Sequence, residues 1–205
     1  MNFLILAAGK GSRFKNKITN EPKSLIKING ISLIENIINC ALKAKIDNIN
    51  IVTGYKSEKI KKIVSKKYNK INFIHNKYYD KTEMLYSLIK GLNQINDDVI
   101  VSYADIYYNY NVIKKITKSI DNKNLYLPIL KNWKKTWFIR KKNIFFDAET
   151  LIINKSFFLR EIGEKITNNI PKYQYMGLLY VPKKQIKNLI SLYNANKKFR
   201  SIHLT

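Results

Sequence analysis

The sequence predicts an α/β fold, a Rossmann-like three-layer sandwich with a mostly parallel mixed sheet and a small antiparallel extension. Three observations carry this. Apolar runs of strand length alternate with amphipathic helical stretches through the first 120 residues. The first run, Phe3 to Ala8, empties directly into a glycine-bearing basic loop. From Leu125 the character changes, and strand-like segments follow one another with a single later helix.

Taken in order, Asn2 to Ala7 reads as a buried strand because it is apolar on both faces. Ser32 to Lys45 reads as a helix, with Leu33, Ile34, Ile37, Ile38, Ala41 and Leu42 on its apolar stripe. A strand at Asn50 to Thr53, a lysine-rich helix from Ser57 to Tyr68, a short strand at Asn72 to His75 and a helix from Glu83 to Asn93 follow. Thr82 and Glu83 look like the capped start of that last helix. Val99 to Tyr103 is a further buried run, stopping at Ala104-Asp105. In the second half Leu125 to Leu130, Thr136 to Arg140, Ile144 to Asn154 and Tyr175 to Val181 read as strands, and Lys183 to Asn196 as the helix.

A chain of 205 residues is one domain's worth, large enough to bury a core without staples. Its single cysteine, Cys40, excludes an internal disulfide and fits a helical core position. No stretch is apolar enough for a membrane span, and Met1-Asn2-Phe3 lacks a basic leader region, so the expected location is the cytoplasm. The net charge of +24 raises nucleic acid as a partner. Yet Arg13, Arg140, Arg160 and Arg200 are the only arginines among 38 basic residues, and the lysines are spread along the chain. Bidentate recognition of phosphate and guanine favours arginine, so biased residue usage explains the charge and no specific nucleic acid is expected.

The chemistry begins at Leu6-Ala7-Ala8-Gly9-Lys10-Gly11-Ser12-Arg13. Gly9 and Gly11 let backbone approach a ligand, while Ser12, Arg13 and Lys10 offer a hydroxyl and two cations to phosphate oxygens. Lys10 is either such a contact or a solvent-facing side chain. The spacing matches neither a P-loop nor a dinucleotide fingerprint. Together with Pro22-Lys23-Ser24-Leu25 it resembles the LxAAGxGxRx…PKxL signature of nucleotidyltransferases, which join a nucleoside triphosphate to a phosphorylated metabolite and release pyrophosphate.

That resemblance implies the nucleotide-diphospho-sugar transferase type of fold, with residues 1–120 as the nucleotide-binding half and 121–205 as the acceptor-binding extension. Leu6, Ala7, Ala8, Gly9, Lys10, Gly11 and Ser12 would line the nucleotide, and Arg13 and Lys23 would be the catalytic cations. In-line attack brings two anions together, so fixed cations carry the catalysis and no general base is required. Asp105 ends a buried strand, where it is either a helix cap or a ligand for the Mg²⁺ that nucleotidyl transfer needs. Its setting, Ser102-Tyr103-Ala104-Asp105-Ile106, resembles the family's YxDI segment, which implies the metal role and puts Ala104 beside the nucleotide.

Further segments resemble the cytidylyltransferases that act on phosphocholine and on 2-aminoethylphosphonate-like substrates. Tyr79 to Leu88 resembles their (T/N)(N/E)xxYSL segment, implying nucleotide contacts at Glu83, Tyr86 and Ser87. Asn132 to Arg140, Asp147-Ala148-Glu149-Thr150, Glu161-Ile162-Gly163 and Gln174 to Leu179 are similar to WxxxWxxR, DAE(T), EIG and QYMGL elements in order. The implied acceptor residues are Trp133, Trp137, Glu149, Tyr175 and Gly177, since aromatic faces and a carboxylate suit a cationic amine. The alternatives are core tryptophans and a strand irregularity at Gly177.

The implied partners are CTP or another nucleoside triphosphate and a small phosphorylated or phosphonate metabolite of the phosphocholine, aminoethylphosphonate or phosphoglutamine type. The implied setting is cell-surface polymer decoration, in capsule or lipopolysaccharide biosynthesis; a homodimer is left open. The family's aspartate before the first tryptophan is replaced here by Pro128-Ile129-Leu130-Lys131-Asn132. The expected later strand, with its Glu-Ile-Asp segment and second metal ligand, does not follow the last helix. A sugar-1-phosphate nucleotidyltransferase and an inactive nucleotide-binding remnant are the alternatives. His75 and His203 are isolated, and no zinc site is expected.

Overall fold

The structure, a computed structural model, describes residues 1–11, 21–140, 148–166 and 170–196. Among these the chain divides into two units, one holding residues 1–126 and 178–196 and the other residues 127–177.

The first unit is built on β1 (Asn2–Ala7). It pairs in parallel with β4 (Asn48–Thr53) on one side and β6 (Val99–Tyr103) on the other. β5 (Ile71–His75) continues the parallel set beyond β4, and β11 (Leu178–Val181) closes the other edge antiparallel to β6. The strand order is β11-β6-β1-β4-β5, so the mostly parallel mixed sheet holds. Phe3, Leu4 and Ile5 have no exposure at all, as a central strand covered on both faces requires. Each such side chain contributes roughly 1.5–3 kcal/mol of burial.

Successive side chains of β1 divide between the two faces. Phe3, Ile5 and Ala7 join a core cluster with Ile34, Ile37 and Ile38 of α1 (Leu33–Lys43), Ile60 and Val64 of α2 (Ser57–Ser65), and Ile113 and Ile116 of α4 (Tyr110–Ser119). On the other face Leu4 meets α3 (Met84–Leu92): a Cβ added at Gly91 would stand 2.6 Å from Leu4 Cδ2. α6 (Lys183–Ala195) packs against α3. Helices thus cover both faces, completing three layers.

Local chemistry fixes the helix ends. Ser32 Oγ accepts the Glu35 N–H at 3.3 Å while the Glu35 carboxylate accepts the Ser32 N–H at 2.9 Å, a reciprocal capping box that starts α1. Lys67 also donates to Glu35. Burial alone would raise this carboxyl, but the hydrogen bonds from Lys67 and Ser32 outweigh it and hold the pKa at about 2. Cys40 is buried in the core as expected. Leu42, counted on the apolar stripe of α1, is 41% exposed and lies off it. A short hairpin of β2 (Lys27–Ile28) and β3 (Ile31–Ser32), absent from the sequence reading, precedes α1.

The second unit departs further from expectation. Thr136 to Arg140, expected as a strand, belongs to α5 (Trp133–Arg140). Trp133 and Trp137 are four residues apart and meet edge to face, with ring centroids 5.8 Å apart, a contact that helical spacing creates and an extended strand cannot. Tertiary packing overrode local propensity. β7 (Ile129–Leu130) is only two residues long and pairs with β10 (Gln174–Tyr175). β8 (Glu149–Ile153) pairs antiparallel with β9 (Leu159–Lys165), a strand the sequence reading missed. Residues 144–147 of the expected strand lie outside the described residues. The expected run from Tyr175 to Val181 is broken at Gly177, whose φ of +75° ends β10 before β11 begins.

Candidate active site

Of the candidate nucleotide residues, Leu6 to Gly11 end or follow β1 and Ala104 follows β6 at their carboxyl ends, where open α/β sheets place their ligands. Lys23 lies in a 3-10 turn, and Glu83, Tyr86 and Ser87 lie at the start of α3. Leu6, Ala7 and Ala8 are buried at the end of β1, while Gly9 and Lys10 are exposed. Gly9 is spacious: a Cβ there would meet nothing within 4 Å. Gly11 is tight and left-handed, with φ +71° and an added Cβ only 2.7 Å from Lys23 Cε. The stem of Lys23 therefore lies across Gly11. Ser12 and Arg13 lie outside the described residues.

Pro22 sets φ at −57° before the 3-10 turn Lys23–Leu25, which presents the Lys23 side chain. Lys23 Nζ stands 3.6 Å from Asp105 Oδ2, with side chains 22% and 44% exposed. Ala104 is buried beside it at the end of β6. Asp105 is not the cap of α4; Asn109 is, accepting the Asn111 N–H at 3.0 Å. Ser24 Oγ, next to Lys23, is buried without a hydrogen-bond partner among the described residues. Gly11, Lys23 and Asp105 thus come together from separate elements as a cation, a carboxylate and close backbone.

On the β4 and β5 side, Tyr55 N–H donates to the Ala8 carbonyl at 3.0 Å. A Cβ at Gly54 would be 2.5 Å from Tyr79 Cβ and 2.7 Å from the same carbonyl, so Tyr79 packs directly on the turn after β4. Glu83 occupies the N-cap position of α3 without a side-chain cap bond. The expected cap, Thr82, instead donates from Oγ1 to the Tyr78 carbonyl at 2.7 Å. Tyr86 meets Tyr78 edge to face, ring centroids 6.5 Å apart. Ser87 is 4% exposed, and its hydroxyl accepts from Asn76 Nδ2 at 3.1 Å. The sequence reading assigned no role to Gly54 and Asn76, and included Tyr79 only as the first residue of the Tyr79 to Leu88 segment. Their signal was position, since each follows a parallel strand at its carboxyl end.

In the second unit Trp133 has no exposure, and its indole N–H donates to the Pro171 carbonyl at 3.0 Å. It is a core residue. Trp137, Glu149 and Tyr175 are half-buried. The backbone of Glu149 is tied to Gln174, whose Nε2 donates to its carbonyl at 2.6 Å. A separate open cleft of about 390 Å³ lies among Thr150, Glu161, Lys172 and Tyr173 with apolar neighbours. None of the five expected acceptor residues lines it.

The pattern of the MobA-like NTP transferase domain matches residues 3–155. The chain belongs to this family.

As a MobA-like NTP transferase it is a nucleotidyltransferase, and two curated relatives are informative. It is 29% identical over 221 residues to the CTP:phosphoglutamine cytidylyltransferase of Campylobacter jejuni, covering 100% of the chain and 85% of that protein. It is 36% identical over 140 residues to the choline-phosphate cytidylyltransferase of Haemophilus influenzae, covering 63% of the chain and 58% of that protein. The inositol-1-phosphate CTP transferase from T. maritima superposes with a TM-score of 0.77 at 16% identity, over 99% of the chain and 77% of that structure. At that identity the superposition shows a shared fold, the nucleotide-diphospho-sugar transferase type. Among the described residues no helix is long and apolar enough to cross a membrane.

Proposed function

We propose that this MobA-like NTP transferase is a cytidylyltransferase, joining CTP to a small phosphorylated or phosphonate metabolite that carries an amine or amino-acid group. An acceptor oxygen attacks the α-phosphorus, its bond to the β-bridging oxygen breaks, and pyrophosphate leaves. The acceptor oxygen is already ionised, so the protein's task is to hold two anions together. The meeting of Lys23 with Asp105 over Gly11 carries this reading, because it supplies a fixed cation and a carboxylate at the mouth of the glycine loop. The similarity to the Campylobacter enzyme along the whole chain supports cytosine as the base.

Within this scheme Lys23 neutralises charge at the α-phosphate, and Arg13 holds the triphosphate with Ser12, Lys10 and the loop backbone. Glu83, Tyr86 and Ala104 border the base and ribose, with Ser87 acting from behind through Asn76. The residues fit Mg²⁺: Asp105 offers a half-exposed hard carboxylate, and this ion takes only one or two carboxylates beside phosphate and water oxygens. Asp105 would hold the ion, which when bound neutralises triphosphate charge. Glu149, Tyr175 and Trp137 are the acceptor residues of the second unit, Gly177 provides close backbone, and Trp133 supports Trp137 from the core. One buried cysteine suits a reducing cytoplasm.

Calorimetric titration with each of the four nucleoside triphosphates in Mg²⁺ tests the base assignment. CTP should bind at least about ten-fold more tightly than the others, a difference of about 1.4 kcal/mol. Equal affinity for all four, or preference for another base, would contradict it.

A further inference from the structure

Asn76 takes no direct part in the proposed transfer, yet it ties together the turn that carries the proposed base contacts. Its side chain is buried, 1% exposed, just past the end of β5. Its backbone N–H donates to the Thr53 carbonyl at 2.7 Å, extending the β4 and β5 ladder by one residue. Oδ1 accepts the Tyr78 N–H at 3.0 Å, and Nδ2 donates to Thr82 Oγ1 and Ser87 Oγ, both at 3.1 Å. The amide's orientation is fixed, because the Tyr78 N–H can only face the oxygen. Thr82 Oγ1 then donates to the Tyr78 carbonyl, so the turn from Tyr78 to Thr82 is held at both its N–H and its C=O.

The segment so held contains Tyr79, Glu83, Tyr86 and Ser87. Tyr79 packs on Gly54, and Gly54 borders the Ala8 carbonyl of the glycine loop. One buried amide therefore ties the carboxyl end of β5 to the first turn of α3 and, through Tyr79, to the end of β1. Residues 77–82 are irregular backbone, which has no ladder of its own to fix its path.

We propose that Asn76 is a positioning residue for nucleotide recognition: it sets the segment from Tyr78 to Ser87 and so governs affinity and base choice without touching the nucleotide. This rests on the nucleotidyl-transfer reading. A group that only positions the base should change nucleotide binding and base discrimination while sparing the acceptor and the chemical step. A group that only stabilises the fold should not separate them.

The test uses Asn76→Ala and Thr82→Val in the full chain. Thr82 is half-buried and valine keeps its shape, so that variant is expected to stay folded even where Asn76→Ala does not. KM for CTP, KM for the acceptor, kcat, the CTP to UTP ratio of kcat/KM and the thermal midpoint are measured together. Each variant should raise the CTP KM and lower the CTP to UTP ratio by roughly ten-fold, with kcat and acceptor KM within about three-fold. The double variant should be no worse than Asn76→Ala alone. An unchanged CTP KM and ratio in Thr82→Val overturns the proposal, as does an equal loss in every parameter that tracks the thermal midpoint. If the wild type turns over no acceptor, the transfer reading fails. Direct CTP titration of the same variants then decides Asn76: weaker binding than wild type supports its role, and wild-type affinity in Thr82→Val overturns it.

Discussion

Lys23 Nζ lies 3.6 Å from Asp105 Oδ2, joining the turn after the glycine loop to the end of β6. Both side chains are partly exposed, and such a pair stabilises a fold by only about 0–1 kcal/mol. Its value lies in the charge it places beside the phosphate loop. Lys23→Ala and Asp105→Ala should each lower kcat by about 10²-fold or more, as expected when a transition state is deprived of one fixed electrostatic stabiliser, with little change in thermal midpoint. Steady-state kinetics and a melting curve check this. An Asp105→Ala enzyme with wild-type rate and Mg²⁺ dependence would remove the metal role.

Gly11 supports the same pair. With φ at +71° and Lys23 carbons 2.7–3.1 Å from an added Cβ, alanine there must strain the backbone and displace the lysine stem. Gly11→Ala should cost most of the kcat/KM for the nucleotide, whereas Gly9→Ala, which meets nothing within 4 Å, should cost far less. Kinetics of the two variants side by side give the comparison.

Trp133 changes role once its surroundings are known. Its sequence context implies an acceptor contact, so that alanine would chiefly raise the acceptor KM. A ring with no exposure and a hydrogen bond to Pro171 implies a packing loss instead, about 3–5 kcal/mol on truncation to alanine. Urea unfolding should detect it. Trp137→Ala, at a half-buried position, should carry the larger effect on acceptor KM.

Glu35 makes folding sensitive to acid. Its pKa of about 2 lies below the ordinary 4.5, so the unfolded chain binds the extra proton first. The stabilisation is complete above the unfolded value and is lost as pH falls through the folded one. Between pH 4.5 and 2 the wild type's urea midpoint should fall more steeply than that of Glu35→Gln, measured at the same ionic strength.

The first unit was largely legible because β1 and β6 are nearly continuous apolar runs and its glycine loop and Pro22-Lys23 turn are local signals. Cys40 in the core and the helices around β1 follow from periodicity alone. α5 was not legible. Its β-branched and aromatic residues suit a strand, whereas the spacing of four between Trp133 and Trp137, whose rings meet at 5.8 Å, belongs to a helix. Thr82 is not the cap, because α3 starts one residue later with Glu83 at the N-cap position and the Thr82 hydroxyl is taken by Asn76 and the Tyr78 carbonyl. Asn76 itself belongs to no motif; its place just past β5 is the one sequence signal, and its side-chain hydrogen bonds to Tyr78, Thr82 and Ser87 show its role.

Pyrophosphate release tests cytidylyl transfer itself. The intact protein with Mg²⁺ is assayed with each of the four nucleoside triphosphates against phosphocholine, 2-aminoethylphosphonate, phosphorylated glutamine and a sugar 1-phosphate. Release is expected with CTP and one of the first three acceptors, and little with the sugar phosphate. Turnover of the sugar phosphate with another nucleotide, or CTP binding without turnover of any acceptor, would refute cytidylyl transfer to an amine-bearing metabolite.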